Sequence, residues 1–113
     1  MTVDEAVRDL LNISTDIVRV AVLGPEGEVL AAAPAAAGPE LAPAAGRLWA
    51  AAEASAGSSS VDNVVVQDAQ GAVALLQAHG RRIAAVTGPR PAVGLLLFDL
   101  RTCLGDAYAE EAQ

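Results

Sequence analysis

The 113-residue chain has no lysine, one histidine, one cysteine, and a single Phe, Trp and Tyr. Each scarcity closes a class of function. Nucleic-acid binding needs clustered Lys or Arg to displace counterions from phosphates. Here the seven basic residues are all Arg, scattered through a chain of net charge -7, so no nucleic-acid partner is expected. Cys103 has no second cysteine to pair with, and its helical surroundings mark it as a buried, inert thiol suited to the reducing cytoplasm, the expected location. A metal site needs three or four ligands. His79 has no second His and no Cys or paired carboxylate near it in sequence, and reads as a solvated turn histidine. No metal and no cofactor is expected.

The near absence of aromatics, 3% of residues, leaves the core to Ala, Val, Leu and Ile, and weighs against a small-molecule pocket, which large apolar and aromatic groups usually line. No long Leu-rich run is present. Thr2 to Leu11 is broken by charges, and Ala31 to Ala45 is rich in Ala, Pro and Gly, so neither a signal peptide nor a membrane span is expected. Catalytic constellations are missing too. Ser58-Ser59-Ser60 has no adjacent base. Gly24-Pro25-Glu26-Gly27 lacks the Lys-Ser/Thr ending of a phosphate loop and joins two strands. Arg81 and Arg82 could reach a GTPase phosphate as a finger, but read more simply as a solvated hairpin tip. The chain is not expected to be an enzyme.

What the chain does have is pattern. Its length suits one domain, residues 1–113, with one core. Thr2-Val3-Asp4-Glu5 has capping-box spacing, and Val3, Ala6, Val7, Leu10 and Leu11 form one helical stripe. Ile17 to Leu23 has almost no polar residue, which predicts a central strand covered on both faces. Beyond the Gly24–Gly27 turn, Glu28 to Ala33 returns as its hairpin mate and stops at Pro34. The segment from Ala35 is ambiguous, with prolines at 34, 39 and 43. A helix is running by Ala44, starting there or a few residues earlier, and ends at Gly57. Three apolar runs follow, Val61 to Gln67, Ala72 to His79 and Ile83 to Thr87. Asp68-Ala69-Gln70-Gly71 and Gly80-Arg81-Arg82 separate them as turns in a three-stranded meander. Val93, Leu96, Leu97, Leu100, Leu104 and Tyr108 mark a last helix to about Glu110. The order α-β-β-α-β-β-β-α predicts an α+β domain with a five-stranded antiparallel sheet flanked by helices.

Four stretches in this order resemble the Roadblock/LC7 family, the dynein light chain roadblock type, in its bacterial form. They are the opening helix to Leu11, the strand and turn Val18 to Gly27, the meander from Val61, and Val93 to Leu100. Two positions depart from the family pattern: Asp16 stands where Gly often precedes the first strand, and Glu26-Gly27 where the first hairpin often has Asp-Gly. Both concern turn chemistry. The resemblance implies a sheet order 2-1-5-4-3, with the long helix on one face and the terminal helices on the other. It also implies dimerisation through the long helix and third strand, and service as a regulator or platform for a Ras-like small GTPase. The alternative it allows is a structural adaptor that docks a histidine-kinase-like or scaffold protein without affecting GTP turnover.

The residues support part of this independently. In that order the third strand is an edge, and Val64, Val65 and Val66 carry no Lys or Pro to discourage pairing. The expected homodimer interface is Leu41, Leu48 and Trp49 on the long helix with Val61, Asn63, Val64, Val65 and Val66 on the edge. Leu48 and Trp49 could equally face their own sheet.

Overall fold

The structure, a computed structural model, describes residues Thr2 to Glu111, the side chains of the last three excepted. Helix α1 (Val3–Ile13) starts at a capping box. The Glu5 N–H donates to Thr2 Oγ1 at 3.2 Å, and the Thr2 N–H donates to Glu5 Oε1 at 3.4 Å. These bonds satisfy two N–H groups that a helix start leaves without intrahelical partners. They favour the ionised Glu5, so its carboxyl is held below the ordinary value.

Strands β1 (Ile17–Leu23), β2 (Val29–Ala33), β3 (Asn63–Asp68), β4 (Gly71–Ala78) and β5 (Arg81–Thr87) form one antiparallel sheet in the order β2-β1-β5-β4-β3. This is the expected topology. The central strand β1 is covered on both faces from Val20 to Leu23, as its composition predicts, whereas Val18 is 58% exposed. The reason is a register irregularity against β5 between Ile17 and Arg19, which turns Val18 out of the core.

Four strand starts shift, β2 from Glu28 to Val29, β3 from Val61 to Asn63, β4 from Ala72 to Gly71 and β5 from Ile83 to Arg81. The last hairpin turn also moves. His79 (φ 55°) and Gly80 (φ 73°) form a two-residue connection with both residues in the left-handed region, the geometry that matches strand twist. Arg81 and Arg82 are therefore strand residues, not a solvated tip. At the preceding hairpin, Asp68 Oδ1 accepts from the N–H groups of Gln70 (2.7 Å) and Gly71 (3.2 Å), an Asx-type turn.

Helix α2 (Ala37–Ala56) begins earlier than Ala44. Pro39 lies in its first turn, where an N–H has no partner to lose, and Pro43, inside the helix, is exposed. Gly38 makes the close approach to β2 feasible: a Cβ there would come within 2.8 Å of Val29 Cγ1. Arg19 of β1 also reaches across to Glu40 at 3.2 Å.

Helix α3 (Val93–Glu111) packs beside α1 on the opposite face. The sheet thus separates two apolar layers. On one side α1 and α3 cover Val20, Val22, Leu76 and Ile83; on the other α2 covers Ala21, Leu23, Leu75 and Ala84. Fully burying each Leu or Ile of these layers contributes roughly 1.5–3 kcal/mol.

Candidate interface on the helix α2 face

Edge strand β3 bonds only to β4, and its outer side is free among the described residues. The Gln77 N–H donates to the Asp62 carbonyl at 2.9 Å. Because hydrogen-bonded and non-bonded pairs alternate along an antiparallel ladder, Val64 and Val66 spend their backbone groups on β4. Asn63, Val65 and Gln67 turn theirs outward. The other edge strand, β2, is only five residues long, and the start of α2 packs on it. The long unguarded edge is β3.

Beside this edge lies an apolar groove of about 250 Å³. Leu41, Ala44 and Leu48 of α2 form one wall, and Val66 and Val73 of the β3–β4 ladder form the other. Antiparallel pairing places Val66 directly opposite Val73, so both side chains stand on the α2 face. Val66 is 52% exposed. Its neighbour Val65 leans to the other layer and is half-buried against the α1/α3 core.

The structure brings most of the expected interface residues to this place. Leu41 is buried but lines the groove, and Leu48 is half-buried in its wall. Val61 and Val64 are half-buried at the same face, and Asn63 is exposed at the start of the edge. Trp49 is the correction. It is 2% exposed, packed into its own subunit's core, with the Arg82 guanidinium 4.6 Å from its ring centroid. One residue past Leu48 on the helix, it points at the sheet rather than along the groove, so it offers no surface to a mate. Sequence reasoning missed Ala44 and Val73. Ala44 sits three residues after Leu41 and four before Leu48, a spacing that places it on their face. Val73 becomes visible only once the register with Val66 is known.

Other candidate groups are structural. Cys103 is buried, and burial, reinforced by Asp106 and Asp9, pushes its thiol up to about 12. His79 is exposed at its turn and stacks on Tyr108, with ring centroids 4.4 Å apart. Arg82 Nε donates to Gln77 Oε1 at 3.0 Å, holding the guanidinium over Trp49. Among the described residues no His, Cys, Asp and Glu side chains group in a way that could hold a metal ion, and no helix is long and apolar enough to cross a membrane.

No protein-family model and no curated protein matches the sequence. Solved structures do match it in three dimensions. A Roadblock/LC7 domain from Streptomyces avermitilis superposes with a TM-score of 0.84 at 13% identity, covering 100% of both chains. Myxococcus xanthus MglB gives 0.72 at 10% identity over 98% of this chain and 96% of its own. The gliding protein MglB from Thermus thermophilus gives 0.66 at 16% identity, over 89% and 82%. A further MglB structure, in a tetrameric arrangement, gives 0.69 at 15%, over 98% and 90%. With the strand order, the helix layers and full-length superposition in agreement, this chain folds as a Roadblock/LC7 domain.

Proposed function

We propose that this chain is a non-enzymatic regulatory or scaffold module of the cytoplasm that pairs with a second copy of itself and, so assembled, binds and regulates a Ras-like small GTPase. The observation that carries the pairing is the apolar groove of Leu41, Leu48, Val66 and Val73 lying beside the unguarded β3 edge. A two-fold mate covers both at once: strand meets strand, and helix closes over groove. The GTPase is the partner class that the Roadblock/LC7 resemblance implies. Likeness in fold to the gliding proteins supports it.

Single-turnover GTP hydrolysis by a small GTPase encoded beside this protein tests the reading, measured with and without the chain present. Faster hydrolysis identifies an activating partner. Binding with an unchanged rate identifies a scaffold, and no binding in either nucleotide state rejects the GTPase. The pairing is tested separately by light scattering, where a monomeric wild type would reject it.

A further inference from the structure

On the far side of the sheet from the α2 groove, α1 and α3 run together, and a cleft of about 190 Å³ opens between them. Of its large apolar side chains Leu10 is buried, and the other two are not. Ile13 of α1 is 68% exposed and Phe98 of α3 is 65% exposed, although Phe98 is the only phenylalanine in a chain short of aromatics. Asp99, which follows Phe98 on α3, is only 9% exposed. Its carboxylate lines the cleft and makes no hydrogen bond or ion pair among the described residues. An ionised carboxylate only accepts, and Asp99, lining the cleft, can take donors that enter there.

The surroundings select the sign and shape of what enters. Asp9 and Asp106 also line the cleft, and both act electrostatically on the Cys103 thiol there. These carboxylates do not converge as a metal-binding group would. They are spread along a cleft with apolar lips. That arrangement suits a planar guanidinium carried on an apolar helix face, and it opposes nucleic acid and anionic membrane alike.

We propose that the α1–α3 cleft docks a short amphipathic segment of a partner protein, one arginine of which reaches Asp99 while its apolar residues cover Phe98 and Ile13. This surface is separate from the α2 groove and needs no mate there. Its failure would leave the pairing untouched, and the reverse holds too.

The probe is a fluorescein-labelled amphipathic helical peptide with a Leu/Ile stripe and two Arg, read by anisotropy and by amide NMR shifts. Its Glu-for-Arg counterpart is the control. The Arg peptide is expected to bind, shifting the amides of Ile13, Phe98, Asp99 and Thr102. Asp99→Asn is expected to weaken it by about tenfold, as for loss of one charge-assisted hydrogen bond. Phe98→Ser, at an exposed site where folding is not at stake, is expected to weaken binding as well. Equal binding of the Arg and Glu peptides, or shifts centred on Leu48 and Val66, would overturn the proposal. So would displacement of the peptide by spermidine with the same shift pattern, which would assign the cleft to a small polyamine. A drop in oligomer mass in Phe98→Ser would assign it to a second copy of this chain and overturn it too.

Discussion

The guanidinium of Arg82 lies over the ring of Trp49, 4.6 Å from its centroid, and Gln77 holds it there through Nε. This contact ties β5 to α2 and caps the aromatic side chain of the α2 layer. Removing it by Arg82→Ala is expected to cost about 1 kcal/mol, the range for a partly desolvated cation–π pair. Trp49→Ala, which opens a cavity in the core, is expected to cost roughly 3–5 kcal/mol. Urea unfolding followed by circular dichroism measures both. Equal losses would mean that Trp49 is not core.

The outward backbone of Val65 makes the pairing testable without disturbing the protomer. Val65→Pro deletes an N–H that the β3–β4 ladder does not use, and edge strands tolerate proline. Light scattering should show the mass fall to that of a monomer while the circular dichroism of the folded domain persists. Val64→Pro, which removes an N–H bonded to β4, should instead destabilise the domain itself. If Val65→Pro leaves a dimer intact, the interface lies elsewhere.

Gly71 starts β4 at φ 151°, where a Cβ would collide with the Thr87 carbonyl oxygen. Thr87 is itself committed, its Oγ1 accepting from the Ala72 N–H at 3.0 Å and donating to the Gly88 carbonyl at 2.9 Å. With neither partner able to yield, Gly71→Ala is expected to lose roughly 2 kcal/mol or more. Thermal unfolding decides this, and an unchanged Tm would refute the close packing.

Cys103 gives a pH signature. Its thiol is ordinarily near 9.0 and is pushed up to about 12 in the fold, first by burial and then by Asp106 and Asp9. Between those values the unfolded chain has released the proton and the folded chain has not. Below about pH 9 the thiol therefore costs nothing, and across the window above it stability falls as pH rises. Cys103→Ala should show a shallower decline over the same range. In the native protein at neutral pH the thiol should resist alkylation until denaturant is added.

Residues close in sequence made much of this fold legible. The capping box at Thr2, the Gly-bearing turns, the period-two valines and the apolar stripes each act over a few positions, so five strands, three helices and their order follow from local chemistry. The resemblance those segments carry extended this to the sheet order. Boundaries failed where one local rule competed with another, as at Pro39 and Pro43, whose tolerance depended on where α2 began, and at His79-Gly80, where twist matching moved the turn.

The surfaces were less legible, because they depend on partners far apart in the chain. Helical spacing allowed Trp49 to face a mate or its own sheet; only the packing of α2 over β5, with Arg82 closing above the ring, turned it inward. Val66 could be read as an edge residue, yet its groove exists because β4 brings Val73 opposite it. Asp99 shows the same limit. In sequence it is one of several charges along α3, and it came to line a cleft because α1 settled beside α3. Local propensity acts within a turn or two of chain, whereas burial of a particular side chain is set by elements that meet only when the sheet is assembled.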